Sequence, residues 1–430
     1  MNISFYTLGC KVNQYETRSI AEQFKKSGYT EVPNSANADV FLVNSCTVTA
    51  ESDRKTRQMV RRFRKQNPQA VLILAGCMPQ AFPEDAKCLT EADIIVGNTD
   101  PAELPELVTR FMQTGERIIK IGEHKRREKF NTPIIEDFGE HTRAFMKIED
   151  GCDRYCTYCI IPSARGDIRS KSTADIRREA ALLADSGYSE IVLVGINLSS
   201  YGKDSGENLC DAVNAAGADE RIKRIRLGSL EPDLMSDEML ARLAKNDKFC
   251  PQFHLALQSG CDATLKRMNR HYDTAFFYDL VKRIRASFNN AAITTDIMVG
   301  FAGETEDEFN QSLDFVKKVG FSKSHIFAYS KRAGTMAANL KTQVSAEEKQ
   351  LRSHKMAQAA AQSEKEFLRH QVGKVCKVLF ETSLNNVYSG YTENYTPVKV
   401  ESATDLRRKI FNVKITSCGE DFVTGEVCER

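Results

Sequence analysis

Three closely spaced cysteines constrain the fold of this chain more than any other feature of its sequence. Cys152, Cys156 and Cys159 follow one another at a Cys-x-x-x-Cys-x-x-Cys spacing within one short segment. No fourth cysteine or histidine stands beside them, so the segment alone cannot complete the four-ligand site that structural zinc requires. A redox pair would need only a Cys-x-x-Cys motif. The chain must therefore hold three thiols together in one loop.

Three thiolates suit a 4Fe-4S cluster, in which each cysteine binds one iron and the fourth iron keeps an open coordination position. The alternative is a zinc ribbon whose remaining ligands lie elsewhere in the chain. The sequence contains thirteen cysteines. In a cytosolic protein these are not expected to form a disulfide scaffold, so metal ligation is favoured for those that cluster.

This loop, with Tyr158 directly before its last cysteine, resembles the signature of the radical S-adenosylmethionine (SAM) enzymes. The resemblance implies that the open iron binds the amino and carboxylate groups of SAM. Reductive cleavage of SAM then gives a 5′-deoxyadenosyl radical, with Cys152, Cys156 and Cys159 as the catalytic cysteines. In such enzymes the cofactor supplies the chemistry and the protein positions it.

Composition sets broader limits. A length of 430 residues predicts two or three domains. The formal net charge is only +2, so any RNA contact must come from local basic patches. No apolar run approaches the ~20 residues of a membrane helix, and residues 1–6 lack the basic start of a signal peptide. We expect a cytoplasmic protein with no membrane segment, and a monomer, since nothing indicates an obligate partner subunit.

The N-terminal region repeats one pattern three times. Residues 3–10, 40–46 and 71–77 are apolar stretches that end in Cys10, Cys46 and Cys77, with helix-like segments at 14–27 and 50–65 between them. Strand, helix and strand at this separation form a βαβ unit. Such units place successive strands parallel, so the three cysteines should meet at one sheet edge. We infer a second three-cysteine cluster there; the alternative is three buried core cysteines. Residues 93–98 predict a fourth strand.

Residues 50–65 are also strongly basic. This surface either is solvated or contacts nucleic-acid phosphates. A second basic run, residues 124–129, lies in a region with Pro133 and Gly139 that is typical of an interdomain linker. The basic residues of the first segment are Arg54, Lys55, Arg57, Arg61, Arg62, Arg64 and Lys65.

From residue 143 onward, strand and helix patterns alternate again, with six predicted strands at 144–148, 190–195, 224–228, 253–257, 294–300 and 323–327. They predict a partial (β/α) barrel whose active groups gather at the carboxyl ends of the strands. Residues 345–371 predict a long helix that ends before Gly373. Five short segments follow, at 375–380, 387–391, 396–400, 410–415 and 422–427, and predict a small β-barrel. Because the charge of this barrel is balanced, the alternative that it only stabilises the protein stays open.

The predicted fold class is therefore α/β, with a small β domain at the end. We expect an N-terminal parallel α/β domain at residues 1–115, a linker at 116–137, a central partial barrel at 138–368 and a β domain at 369–430. The seven histidines are scattered along the sequence and indicate no site.

Taken together, these features resemble the methylthiotransferase family of radical SAM enzymes over essentially the whole chain. The similarity is carried by residues 7–13, 44–48 and 75–78 around Cys10, Cys46 and Cys77, and by residues 159–166. It implies two 4Fe-4S clusters, an auxiliary one on these three cysteines and a SAM-cleaving one on the central loop. It also implies that the β domain is an RNA-binding TRAM domain.

The continuation Lys-Val-Asn-Gln-Tyr-Glu at residues 11–16 is most similar to one branch of the family. That branch methylthiolates C2 of N6-threonylcarbamoyladenosine at position 37 of tRNA, in the anticodon stem-loop. The resemblance implies two roles for SAM: it methylates a sulfur on the auxiliary cluster, and it gives the radical that takes hydrogen from C2. An electron donor such as flavodoxin or ferredoxin is implied as well.

Other assignments stay open at this point. Related branches act on isopentenyladenosine in tRNA or on an aspartate of a ribosomal protein. An RNA-binding iron-sulfur protein without enzymatic activity is the alternative outside catalysis. Residues just beyond predicted strands are candidates to bind SAM, although turn glycines and helix caps occupy the same positions. These candidates are Gly195, Asn197, Ser229, Glu231, Gln258, Ser259, Gly300, Gly303 and Glu304.

Overall fold

A computed structural model describes residues 1–98, 101–139 and 141–428 in three units. The first unit is a six-stranded parallel sheet with the order β2-β1-β3-β4-β5-β6. Its strands are β1 Asn2–Thr7, β2 Thr30–Glu31, β3 Val40–Ser45, β4 Val71–Gly76, β5 Ile94–Val96 and β6 Ile118–Lys120. Its helices are α1 Lys11–Lys26, α2 Ala50–Gln66, α3 Cys77–Ala81, α4 Pro83–Lys87 and α5 Leu104–Thr114.

Helices cover both faces of this sheet. Every residue of β3 and β4 is buried, as expected for parallel strands that are covered on both sides. Phe24 of α1 packs in the cluster on one face and Phe63 of α2 packs in the cluster on the other. The βαβ prediction is confirmed. Strand β6 lies inside residues 116–137, predicted as linker, because two isoleucines between charged residues give no strand pattern.

The central unit contains the predicted partial barrel. Two parallel sheets form its wall, with the strand orders β11-β10-β7 and β12-β13-β14-β15. All six predicted strands are present, and the short β12 is an additional one. The strands are β7 Ala144–Lys147, β8 Glu149–Asp150, β9 Arg169–Ser170, β10 Glu190–Val194, β11 Arg224–Leu227, β12 Ser229–Leu230, β13 Gln252–Leu255, β14 Ala292–Val299 and β15 Lys323–Ala328.

Helices surround this wall and share one apolar core with it. Their ends follow local sequence signals. The hydroxyl of Thr305 and the carboxylate of Glu308 form a capping box at the start of α12, and Gly320 ends that helix in a left-handed conformation. The helices are α6 Ile161–Arg165, α7 Thr173–Asp185, α8 Leu209–Ala216, α9 Asp237–Ala244, α10 Asp262–Arg267, α11 Thr274–Ser287, α12 Glu306–Val319 and α13 Ala346–Arg369.

The third unit is the predicted five-stranded β-barrel, which is closed in the order β16-β17-β18-β20-β19. Its strands are β16 Val375–Leu384, β17 Val387–Thr392, β18 Pro397–Glu401, β19 Ile410–Cys418 and β20 Val423–Val427. Alternate residues of β17 and β18 are buried, as a small barrel requires. The barrel packs against the central unit through Arg224 and Arg226, whose guanidinium groups donate to backbone carbonyls of the barrel.

Candidate functional site

Cys10, Cys46 and Cys77 lie at the carboxyl ends of β1, β3 and β4, at one edge of the first sheet. Cys46 and Cys77 are buried, whereas Cys10 is exposed. The close approach needs glycine at position 9, where φ is +118°. A Cβ atom there would lie 2.9 Å from the Cβ atom of Cys46. The sheet edge thus gathers three cysteines that are far apart in sequence.

Hydrogen bonds tie the three loops together. The Asn13 side chain accepts from the Cys10 amide at 3.3 Å and donates to the Ser45 carbonyl at 3.3 Å. The Ser45 hydroxyl donates to the Ala75 carbonyl at 2.6 Å and accepts from the Met78 amide at 3.2 Å. Each cysteine thus has, within three positions of it in sequence, a residue that hydrogen-bonds to a neighbouring loop.

A buried charge cluster joins this edge to the central unit. Arg165 donates to the Cys77 sulfur at 3.1 Å and to Glu16 Oε2 at 3.0 Å. Lys147 Nζ lies 2.7 Å from both Glu16 and Asp150. Burial raises the pKa of Glu16. The positive charges of Arg165 and Lys147 outweigh this effect and hold the pKa below its usual value. Arg165 ends α6, the helix that follows Cys159, so one side chain spans from the central loop to the first triad.

The central cysteine loop is fixed by its backbone. The Cys152 amide donates to the Gly166 carbonyl at 3.1 Å, and the Cys159 amide donates to the Cys156 carbonyl at 2.9 Å. Thr157 donates through its amide and hydroxyl to the carbonyls at the end of α10, at 3.1 and 2.8 Å. Gly151, with φ of +89°, passes so close to the Asp167 carbonyl that any side chain would clash.

Two further side chains shape this loop. Arg270 donates to the Cys156 sulfur at 3.1 Å and also pairs with Glu231. The Tyr158 ring packs edge-on against Phe301, with ring centroids 6.3 Å apart. A cation beside a cysteine sulfur favours the thiolate form that binds metal.

The chemistry of both triads fits iron-sulfur clusters. Burial raises the pKa of Cys77, Cys152 and Cys159 to about 12, so these thiols need a bound cation to ionise. Among the residues that the structure describes, neither triad brings its three sulfurs within 4.8 Å of one another, as one shared ion would require. In a 4Fe-4S cluster each cysteine binds a different iron, and that wider spacing suits it.

The candidate SAM residues separate into groups. Gly195 and Asn197 surround Glu149: a Cβ atom on Gly195 would lie 2.6 Å from Glu149 Oε2, and the Asn197 amide donates to that oxygen at 2.8 Å. Glu231 pairs with Arg270, next to Cys156. Ser229 is exposed.

The remaining candidates lie further along the wall. Gln258 has φ of +66° and bridges to β14, and Ser259 is buried and accepts from the Cys261 amide at 3.3 Å. Glu304 is buried, accepts from the Gly300 amide at 2.8 Å and pairs with Arg352 at 2.6 Å. The Gly303 amide donates to the Thr342 carbonyl at 2.8 Å. These contacts are internal to the protein, and they leave the SAM-binding roles as predictions.

Glu149 was not among the sequence candidates. Its carboxyl is buried directly before the cysteine loop, Oε1 has no partner within the described ranges, and burial raises its pKa well above the usual value. The Asn197 side-chain oxygen is likewise buried without a partner there. Unpaired buried polar atoms are costly, and these two offer a cofactor hydrogen-bonding groups beside the Cys152 loop. The position of Glu149 at a strand end, three residues before Cys152, was the available signal.

A cavity of about 1000 Å³ lies where the three units meet. Cys10 and Lys11 line it from the first unit, Gly195 and Ser229 from the central unit, and Tyr395 from the β-barrel. A cluster on the first triad would thus be reachable from this space through the exposed Cys10.

Comparison with known proteins decides the family. Residues 2–97 match a family described as "Uncharacterized protein family UPF0004", and residues 146–316 match the radical SAM superfamily. The chain is 36% identical to threonylcarbamoyladenosine tRNA methylthiotransferase MtaB of Bacillus subtilis, over 99% of this chain and 96% of that protein. It belongs to the methylthiotransferase family of radical SAM enzymes. The family prediction is confirmed.

Other relatives of this methylthiotransferase follow the same pattern. It is 33% identical to tRNA-2-methylthio-N(6)-dimethylallyladenosine synthase of Caldicellulosiruptor saccharolyticus, over 98% of this chain and 91% of that protein. A solved structure, the radical SAM methyltransferase TsrM of Kitasatospora setae, shares the fold at a TM-score of 0.57 and 13% identity, covering 78% of this chain and 77% of that one.

Family membership makes the chain a transferase with SAM and 4Fe-4S clusters as cofactors, which the cysteine geometry fits. None of the helices within the described ranges is both long and apolar enough to cross a bilayer.

Proposed function

We propose that this methylthiotransferase modifies C2 of N6-threonylcarbamoyladenosine at position 37 of tRNA, giving 2-methylthio-N6-threonylcarbamoyladenosine. The observation that carries the proposal is the contact of Arg165, which ends the helix that follows Cys159, with the Cys77 sulfur, beside a cavity that Cys10 lines. The relatives named for threonylcarbamoyladenosine at 36% identity support this branch.

Cys10, Cys46 and Cys77 would hold the auxiliary cluster, and Cys152, Cys156 and Cys159 the SAM-cleaving one. When bound, these groups supply the radical chemistry and the sulfur transfer. The protein fixes their relative position through the Arg165, Glu16 and Lys147 cluster. Arg270 directs positive charge at Cys156.

We further propose that Glu149, Gly195 and Asn197 would bind SAM, together with Glu231 and Ser229 at the neighbouring strand ends. The unpartnered oxygens of Glu149 and Asn197 support this placement. The SAM-binding role of the remaining candidates, at the same edge of the barrel, stays a prediction. These are Gln258, Ser259, Gly300, Gly303 and Glu304. Burial raises the pKa of the Glu149 carboxyl well above its usual value, and a carboxyl donates a hydrogen bond only in its protonated form.

The proposed partner is the tRNA anticodon stem-loop, bound across the cavity mouth and the C-terminal barrel in the cytoplasm. An electron donor such as flavodoxin or ferredoxin would reduce the SAM-cleaving cluster, and the chain would act as a monomer. The solvated surface of α2 supports an RNA contact: within the described ranges Arg57, Arg62 and Lys65 form no ion pair, unlike Arg54, Arg61 and Arg64.

Mass spectrometry of total tRNA nucleosides from cells with and without the gene tests the substrate. We expect selective loss of 2-methylthio-N6-threonylcarbamoyladenosine, restored by the wild-type gene and not by a Cys156→Ala copy. Loss of the methylthiolated isopentenyladenosine instead would assign the other tRNA branch. No change in either nucleoside would refute a tRNA substrate and favour the ribosomal protein.

The two-cluster assignment has its own test. Anaerobic reconstitution of a variant with alanine at positions 10, 46 and 77 should halve the iron content and leave SAM cleavage to 5′-deoxyadenosine in place. Unchanged iron content would refute the auxiliary cluster. The matched control replaces the exposed Cys88 by alanine and should leave the iron content unchanged.

A further inference from the structure

We propose that His254, Asp296 and His325 form a binding site for a divalent transition-metal ion on the inner wall of the partial barrel. The three residues stand on the adjacent strands β13, β14 and β15. In the observed register His254 pairs with Thr294, and Asp296 pairs with His325. Because side chains alternate along a strand, Thr294 and Asp296 share one face. All three candidate ligands therefore face the cavity, which each of them lines.

Their geometry suits one shared ion. His254 Nε2 lies 3.2 Å from Asp296 Oδ2, and the ligand atoms of all three residues lie within 4.8 Å of one another. Two ligands of a tetrahedral zinc ion, each at about 2.0–2.1 Å from it, are about 3.4 Å apart. The His254 and Asp296 atoms already have this separation. His325, which is exposed on β15, supplies the third ligand atom within the same 4.8 Å.

A neighbouring hydroxyl orients His254. The Nδ1 atom of His254 lies 3.0 Å from the Thr294 hydroxyl, which also accepts from the Gln252 side chain at 3.1 Å. Metal-binding histidines usually use their other ring nitrogen for such a bond, which fixes the tautomer and the ring orientation. Here that bond leaves Nε2 directed toward Asp296.

The surrounding charges leave the carboxylate available. Lys323, the lysine nearest in sequence to His325, pairs with Glu364 at 3.2 Å. Arg226, which also lines the cavity, is engaged by Glu190 and by barrel carbonyls. Two imidazoles and one carboxylate suit Zn²⁺ or Fe²⁺ and leave coordination positions open. Those positions face the cavity, where an oxygen atom of a bound molecule could complete the coordination shell.

The site shares no residue with the two cysteine triads, so its metal content can be measured separately from the cluster iron. The test uses full-length protein with both triads reconstituted, equilibrated anaerobically with Zn²⁺, desalted and analysed for zinc, iron and sulfide. We expect one zinc per chain in addition to the cluster iron. Asp296→Asn and His254→Asn should each lower zinc affinity at least tenfold at unchanged iron and sulfide. Thr294→Val should lower it about 10–100-fold, as removal of a residue that orients a metal ligand does.

His354→Asn is the matched control, because His354 is exposed on α13, away from the cavity; it should bind zinc like the wild type. X-ray absorption at the zinc edge should show nitrogen and oxygen ligands near 2.0 Å rather than sulfur near 2.3 Å. Zinc content that is equal in wild type and Asp296→Asn, or a sulfur shell that marks zinc on the cysteines, would overturn the proposal. Unchanged iron and sulfide in each variant shows that a loss of zinc is not a loss of fold.

Discussion

Replacing Glu16 by glutamine should destabilise the docking of the N-terminal sheet on the central unit. Glu16 lies on α1 and is buried, and its carboxylate accepts from Lys147 at 2.7 Å and from both terminal nitrogens of Arg165. The substitution keeps the shape of the side chain and removes its charge. Lys147 and Arg165 are then left with Asp150 as the nearby carboxylate.

Removing one partner of a buried ion pair costs about 3–5 kcal/mol, because the remaining charge stays buried without compensation. Glutamine still offers an amide oxygen, so we expect the lower end, about 3 kcal/mol. For a domain of this size each kcal/mol lowers the unfolding midpoint by about 2–4 °C. Scanning calorimetry of the reconstituted protein at pH 7 should therefore show the first transition lowered by about 6–12 °C.

The effect should depend on pH with a definite sign. The pKa of Glu16 is held below its usual value in the folded protein. Its contribution is therefore complete above the unfolded pKa of about 4.3 and is lost as the pH falls through the folded value. The difference between wild type and Glu16→Gln should be constant from pH 7 to 5 and should shrink below about pH 4.3.

Glu31→Gln is the matched control. Glu31 pairs with Arg18 at 2.9 Å, but its side chain is 52% exposed, and exposed ion pairs contribute about 0–1 kcal/mol. A fall in midpoint for Glu16→Gln no larger than that for Glu31→Gln would refute the reasoning, and so would a difference that grows as the pH is lowered below 4.

Three further outcomes are expected from the geometry. Arg270→Gln should lower the reduction potential of the cluster on the central loop by about 60 mV in an EPR-monitored titration, the equivalent of one charged hydrogen bond of about 1.4 kcal/mol; an unchanged potential would contradict a hydrogen bond to Cys156. Glutamine at Arg57, Arg62 and Lys65 should reduce the salt dependence of tRNA binding by about one unit of slope for each phosphate that the variant no longer neutralises; an unchanged slope would favour the merely solvated surface. Arg143→Ala removes an ion pair with Glu381 and the stacking of its guanidinium on the barrel tyrosines. The rate of amide hydrogen exchange in β16–β18 should then rise about 5–30-fold, because a loss of about 1–2 kcal/mol of stability changes the ratio of folded to unfolded protein by that factor. Unchanged exchange would show that other residues dock the barrel.

The sequence was informative wherever function coincides with a local pattern. Each auxiliary cysteine directly follows a short apolar run, so the strand ends and the shared sheet edge could both be predicted. The five β segments of the C-terminal barrel alternate clearly and were predicted within a few residues of their observed ends. Strand β6 was missed because three residues are too few for a periodicity.

Contacts between distant residues could not be predicted in the same way. Glu16 and Arg165 are 149 positions apart, and each belongs to a helix whose pattern does not mark it as buried. His254, Asp296 and His325 belong to three different strands, and only the register of β13, β14 and β15 brings them together. Scattered histidines in sequence therefore gave no sign of a common site.

The charge cluster around Arg165 explains how two triads on separate units keep a fixed relation. Replacing such a cluster by apolar side chains often stabilises a protein, so net stability is a poor reason for its presence. Its geometry is specific instead: Arg165 meets both Glu16 and the Cys77 sulfur in one relative placement of the two units. If one unit slid past the other by one residue position, two guanidinium donors of Arg165 and the carboxylate of Glu16 would be buried without partners. Such a loss costs several kcal/mol. The cluster thus selects one distance between the Cys77 edge and the Cys159 loop, which the proposed reaction with one cluster on each triad would use.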